Sequence, residues 1–205
     1  MRGVPICIVL MVVFASMGCI QGDDGMSGEE KKGRVVMVIA PQDFRDEELL
    51  VPKRALEAAG FDTVVASTRK GEAVGMLGAR VSVDATIDEL DPSQYDGIVV
   101  VGGSGTREYL WGNAQLHELI RAFFAQNKTV GAICLAPVVL AEAGVLDGKR
   151  ATVFPDSEAI SELEEGGASY VRSPVVLSGG VITAEGPKAA ESFAAELIHD
   201  LEERA

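Results

Sequence analysis

"GAICLAPVVLAEAG", residues 131–144, joins a short apolar run to a helix through a single cysteine. The run leading in, residues 129–133, is partly β-branched and follows the polar stretch Gln126-Asn127-Lys128, the pattern of a short buried strand. Cys134 stands at its carboxyl end, and the chain then resumes as a helix. A strand, a sharp turn bearing a nucleophile and a helix make a nucleophile elbow, which presents oxygen or sulfur above a sheet. The helix amino end adds partial positive charge and free amides, both favouring a thiolate over a thiol.

Outward from the elbow, strand and helix patterns alternate. Residues 34–40 (RVVMVIA) read as a first buried strand, 46–60 as a helix ending at Gly60, and 62–68 as a second strand. Residues 71–86 look like a small hairpin excursion. Residues 95–103 (YDGIVVVGG) give a third core strand, 114–128 an amphipathic helix and 129–133 the fourth strand. Beyond the elbow come a strand at 151–154, a helix at 156–167, the segments SPVVLSGG and VITAEG, and a closing helix from Pro187 to about Glu203. This alternation predicts an α/β fold with a mostly parallel sheet, helices on both faces and right-handed crossovers, and no second domain. Reactive groups in such folds collect beyond the carboxyl ends of the strands, near the topological switch point. Three loops there stand out: APQDFRDEE after strand one, GGSGT after strand three and Cys134 after strand four.

The first 33 residues read as separate from this domain. Arg2, the apolar run Val4 to Phe14 and the small-residue end Ala15-Ser16-Met17-Gly18-Cys19 form an export signal over 1–18. Counted through Met17, its apolar part is about fourteen residues, short of the ~20 that a spanning helix needs. Ser16-Met17-Gly18-Cys19 resembles a lipobox, which makes Cys19 the candidate lipidation site, although Ser16 stands where leucine is usual. Residues 19–33, rich in glycine and charge, read as a flexible tether to a domain at 34–205. The expected location is extracytoplasmic, anchored to the cell membrane by a lipidated or uncleaved amino terminus.

Composition narrows the chemistry. The 205-residue chain is 47% hydrophobic and 24% charged, ordinary for one domain with a sizeable core. Its 31 acidic and 18 basic residues give a net charge of -13, which repels a nucleic-acid backbone. Cys7 leaves with the signal and Cys19 carries lipid, so Cys134 is the one thiol left in the domain and no disulfide framework or paired-cysteine zinc site can be built.

The elbow, VVVGGSG upstream and VITAEGPKAAESFAAELI at the end resemble the DJ-1/ThiJ/PfpI superfamily over nearly all of 34–203. The resemblance implies a flavodoxin-like three-layer sandwich of the class I glutamine amidotransferase type. It implies that Cys134 is the reactive cysteine and that Glu48, four residues before Pro52, hydrogen-bonds it. A carboxyl beside a thiolate disfavours two negative charges, so the pair should titrate as a unit with protonated Glu48 donating to sulfur. Gly103 and Leu135 match positions whose backbone amides form an oxyanion hole, and Gly102 lets the backbone approach closely. A homodimer is the implied default, and no metal or organic cofactor is implied.

Departures from that pattern are equally informative. Family members regarded as peptidases carry a histidine directly after the nucleophile, where this chain has Leu135. Others carry one before a proline after the next strand, where this chain has Phe154 before Pro155. His117 and His199 both lie off the apolar stripes of their helices and are expected to face solvent. Glu47 and Glu48 are also the acids that a helix's first turn uses against its dipole. Gly102, Gly103 and Gly105 lack the Lys-Ser/Thr pair of a phosphate loop. Tyr109 and Trp111 either wall the pocket or pack on the surface.

Three activities remain consistent with these residues. The first is a glyoxalase- or deglycase-like enzyme in which a Cys134 thiolate adds to a small reactive carbonyl such as methylglyoxal. The second is a PfpI-like peptidase or amidohydrolase acting on peptides, made less favourable by the missing histidine. The third, without turnover, is a redox sensor or stress chaperone in which an exposed low-pKa thiol stops at the sulfinic stage.

Overall fold

A computed structural model of the chain describes residues 1, 3 and 31–204. The body of the expected export signal, the tether up to residue 30 and Cys19 lie outside the described residues. In chain order the elements are β1 (Gly33–Val38), β2 (Gln42–Phe44), α1 (Asp46–Ala58), β3 (Phe61–Ser67), β4 (Gly71–Gly75), β5 (Arg80–Val83), β6 (Ala85–Thr86), β7 (Gly97–Val100), α2 (Gly105–Tyr109) and α3 (Ala114–Ala125). They continue with β8 (Thr129–Ile133), α4 (Pro137–Glu142), β9 (Arg150–Ala151), α5 (Ser157–Glu165), β10 (Ser169–Tyr170), β11 (Val175–Ser178), β12 (Val181–Ala184) and α6 (Ala190–Arg204).

Seven strands form the central sheet in the order β11-β12-β8-β7-β1-β3-β6. Every neighbouring pair is parallel except the edge pair β11/β12. Central strands are covered on both faces, so they read as unbroken apolar runs: Val35 to Val38, Ile98 to Val100 and Val130 to Ile133 are buried throughout. Each fully buried aliphatic side chain contributes roughly 1.5–3 kcal/mol. Helices α1 and α6 pack together against the sheet, and α3 and α4 pack together, with α5 on α4. Gly131 in β8 admits α6 closely, because an added Cβ there would come within 2.7 Å of Leu197 and 3.1 Å of Phe193. Helix starts follow the local sequence: Asn113 accepts from Leu116 N at 3.0 Å and Asp156 from Ala159 N at 3.0 Å.

Two expectations change in detail. The strand expected at 151–154 is only β9, which pairs with β10 in a separate two-stranded sheet. Thr152 N donates to the Thr183 hydroxyl at 3.0 Å, so a side chain takes the place of a ladder bond beyond Ala151. SPVVLSGG and VITAEG form the antiparallel β11/β12 hairpin, whose two central residues, Gly179 and Gly180, have φ of 56° and 79°. Two consecutive positive φ values suit a tight hairpin turn, which explains the glycine pair. The excursion after β3 is a hairpin of β4 and β5 joined by β2.

Candidate active site

β1 is flanked by β3 on one side and β7 on the other, so the direction of the connections reverses there. The loops following β1, β7 and β8 converge beyond the carboxyl edge at this switch point. Arg45 N donates to Gly102 O at 2.9 Å, tying the first of these loops to the second.

Cys134 has a φ of 64°, the left-handed turn of a nucleophile elbow. A non-glycine residue held there costs on the order of 1–3 kcal/mol, so its surroundings must enforce it. Backbone bonds on both sides do so: Cys134 N donates to Ala184 O at 2.9 Å, and Phe154 N donates to Cys134 O at 2.8 Å. Glu48 lies within the first turn of α1 and is wholly buried. Gly102 separates the two side chains. A Cβ added to it would stand 2.5 Å from the Cys134 Cβ and 2.6 Å from Glu48 Oε2, so only glycine allows both to approach. Gly103, with a φ of 119°, would press a Cβ to 2.3 Å from Asp43 O.

Burial pushes Glu48 up to about 8, opposed by the Cys134 side chain, the Arg45 charge and the Gly102 amide. Neither Glu48 oxygen has a hydrogen bond of good geometry, so these neighbours interact with it without fully satisfying it. Burial also pushes the Cys134 thiol up, and the Glu48 charge pushes it further. The backbone amides of Gly103 and Leu135 reach the sulfur and pull the other way, without compensating. The expected exposed, low-pKa thiol is therefore corrected. Cys134 is 7% exposed, and desolvation outweighs the amides at the elbow. The two groups hold at most one negative charge near neutrality and share it as a unit.

Three consecutive acids at the start of α1 have three separate roles. Asp46, buried, accepts from Leu77 N at 2.8 Å and Ala79 N at 2.7 Å, fastening the β4/β5 hairpin. Glu47 takes a two-pronged bond from Arg45, at 2.8 and 3.0 Å. Glu48 turns inward to the sulfur. Arg45 was not singled out from sequence; its signal is a lone cation preceding three acids in the segment that follows the switch-point strand β1.

The histidines divide. His199 is 64% exposed, as expected, 3.5 Å from Glu203. His117 does not face solvent: its side chain is 12% exposed, with Nε2 3.2 Å from Glu142 on α4, and burial lowers its pKa against the opposing effect of that carboxylate. Phe154 is 42% exposed and lines a cavity of about 460 Å³ with Pro155, Arg172, Glu185, Gly186 and Lys188 among its walls. Gly186 connects cavity and pair, since a Cβ on it would lie 3.3 Å from the Phe154 ring and 4.0 Å from Glu48 Oε1. Tyr109 and Trp111 do not line this cavity; both pack against the core, and Trp111 Nε1 donates to Leu135 O at 3.0 Å. Among the described residues no three His, Cys, Asp or Glu side chains converge as metal ligands would.

The profile of the DJ-1/PfpI family matches residues 33–200. The chain belongs to the DJ-1/PfpI family. Among its relatives, an uncharacterized protein of Methanocaldococcus jannaschii is 46% identical over 98% of each chain. A protein of Pyrococcus abyssi named a deglycase is 31% identical over 74% of this chain and 90% of its own length. A ThiJ/PfpI domain protein from Brachyspira murdochii has a solved structure that superposes with a TM-score of 0.80 at 32% identity, covering 84% of this chain and 98% of that one. The DJ-1/PfpI match takes in the elbow, the Gly102-Gly103 pair, α1 with Glu48 and most of α6. The α/β fold expected from the alternating pattern, and the three-layer sandwich that the resemblance implied, are thus the DJ-1/PfpI fold.

Proposed function

We propose that this protein is a cysteine-dependent enzyme acting on small reactive carbonyls, in the manner of a glyoxalase or deglycase. The observation that carries the reading is the buried Cys134 and Glu48 pair, closed over by Gly102, in which burial makes both groups resist ionisation. Relatives named deglycases at about 30% identity support it.

With methylglyoxal, and once the pair has released its first proton, the Cys134 sulfur bonds as a thiolate to the aldehyde carbon, and the carbonyl π pair moves onto oxygen. The amides of Gly103 and Leu135, already aimed at the sulfur, stabilise that oxygen as its charge develops. Protonated Glu48 gives its proton to the oxygen, leaving a hemithioacetal and a buried carboxylate. That carboxylate takes the hydrogen from the former aldehyde carbon as a proton and returns it to the neighbouring carbon, while the hydroxyl proton passes to the former ketone oxygen, which yields a lactoyl thioester. Water cleaves the C–S bond, releasing lactate and restoring the pair. Overall methylglyoxal and water become lactate and a proton, with no external oxidant or reductant. A group pushed up to about 8 is well placed to hold and release this proton near neutrality.

The peptidase alternative lacks its base. Leu135 and Phe154 stand at the two positions where the family resemblance calls for histidine, and His117 is engaged by Glu142 instead. The sensor alternative draws on the unpartnered Glu48 oxygens beside the sulfur, which suit a hydrogen bond to a sulfinic acid. An unmodified Cys134 in peptide mass spectra after mild peroxide removes it. The amino-terminal segment would place the enzyme outside the cytoplasm on an anchor, and the alignment with the Methanocaldococcus relative, over 98% of this chain, extends into that segment.

The test is methylglyoxal consumption with lactate detection, comparing the chain with Cys134→Ser and Glu48→Gln. Lactate production lost in both variants is the expected result. Equal rates in all three proteins would remove the pair from the chemistry.

A further inference from the structure

Two carbonyls flank the elbow, those of Cys134 and Leu135, and both are held by groups that converge on one arginine. Trp111 Nε1 donates to Leu135 O at 3.0 Å. The guanidinium of Arg107, on α2, lies over the Trp111 ring at 5.0 Å from its centroid. The same guanidinium reaches Asp156 through Nη2 at 2.5 Å and Glu158 through Nε at 3.0 Å. Asp156 N donates to Phe154 O at 2.7 Å, and Phe154 N donates to Cys134 O at 2.8 Å. A further tie fixes the tryptophan loop to the elbow helix: Gly112 N donates to Glu142, in α4, at 2.9 Å. None of these groups touches the sulfur. Together they connect α2, the loop before α5 and α4 around a residue whose backbone would otherwise relax.

We propose that Arg107 and Trp111 form a clamp that holds the Cys134 elbow in its left-handed turn and keeps the Leu135 amide aimed at the sulfur, making them positioning residues for the cysteine chemistry. The proposal rests on Cys134 being the nucleophile. Removing the indole N–H frees the Leu135 carbonyl and the peptide that follows it; the preceding peptide, which carries the Leu135 N–H and the Cys134 carbonyl, then keeps only the tie to Phe154 N, and a donor that acts on developing negative charge is less firmly aimed. Arg107 acts one step further back, through its guanidinium over the Trp111 ring and its two carboxylate contacts. Lysine cannot reproduce that arrangement.

The test uses the full chain and two variants, Trp111→Phe, which keeps a ring under Arg107 but loses the donor, and Arg107→Lys. One readout is kcat and KM for methylglyoxal; the other is the iodoacetamide alkylation rate of Cys134 against pH, followed by peptide mass spectrometry. Glu48 and Arg45, whose charges act on the sulfur, stay in place in both variants. Trp111→Phe is expected to lower kcat about tenfold with KM changed less than about twofold, and to move the alkylation midpoint to higher pH. Arg107→Lys is expected to do the same to a smaller extent. A residue that merely supports the fold shifts the melting temperature without moving the alkylation midpoint. Folded variants with unchanged kcat and an unchanged alkylation profile would overturn the clamp. Should Trp111→Phe not fold, Arg107→Lys carries the same two expectations. If the unmodified chain makes no lactate, the carbonyl reading fails while the alkylation profile still decides the clamp.

Discussion

Replacing Glu48 with glutamine should change how stability depends on pH, in a direction that the structure fixes. Glu48 is wholly buried, and its carboxyl is carried from 4.5 to about 8, chiefly by desolvation. Between those values the unfolded chain has released this proton and the folded chain still holds it. The contribution is fully present below about pH 4.5 and is lost as pH rises through about 8. At 1.36 kcal/mol per pH unit, the interval corresponds to roughly 4–5 kcal/mol. Glu48→Gln is isosteric and does not titrate, so the other acids cancel when variant and unmodified protein are compared at each pH. Any constant penalty from the amide cancels too, because it is the same at both pH values. Urea unfolding at pH 5 and pH 8.5 provides the measurement. With an m-value of about 2–3 kcal/mol/M, the variant should gain about 1.3–1.9 M in midpoint relative to the unmodified protein between the two conditions. Parallel midpoints at both pH values would refute the claim that Glu48 is buried as a neutral acid.

The same substitution should speed Cys134 alkylation at a fixed pH of about 8, because a charge that raises the thiol is gone, even as lactate formation is lost; iodoacetamide kinetics report it. In the unmodified protein, kcat/KM should rise with pH through about 8 as the pair loses its first proton, and a pH–rate profile checks this. Gly102→Ala should cost roughly 1–3 kcal/mol and abolish turnover, since its Cβ would press within 2.5 Å of Cys134 and 2.6 Å of Glu48; urea unfolding and lactate assays read the two effects. Phe154→His places an imidazole at the cavity wall beside the elbow, and kcat for methylglyoxal should rise about tenfold or more.

The sheet was legible because its central strands are covered on both faces, which leaves unbroken apolar runs such as residues 129–133. The elbow was legible because a cysteine interrupts the passage from strand to helix, and Gly102 and Gly103 marked the opposite wall by leaving room for it. Burial of His117 was not legible. The stripe Leu116, Ile120 and Phe123 faces the sheet, but α4 covers a second side of α3, and periodicity alone describes one buried face. The thiol was expected to be acidic because a helix end favours a thiolate; its desolvation depends on tertiary enclosure and opposes that effect. Trp111 showed only that it was large and aromatic. Its bond to Leu135 spans 24 residues and depends on how α2 meets the elbow, a relation that no local pattern encodes.

The most direct test of the central claim is to follow lactate formation from methylglyoxal as Cys134 is progressively alkylated, with peptide mass spectrometry reporting the modified fraction. If the Cys134 and Glu48 pair performs the chemistry, activity falls in proportion to the unmodified thiol and reaches zero when one equivalent is bound at Cys134. Activity that persists with Cys134 fully alkylated would contradict the account.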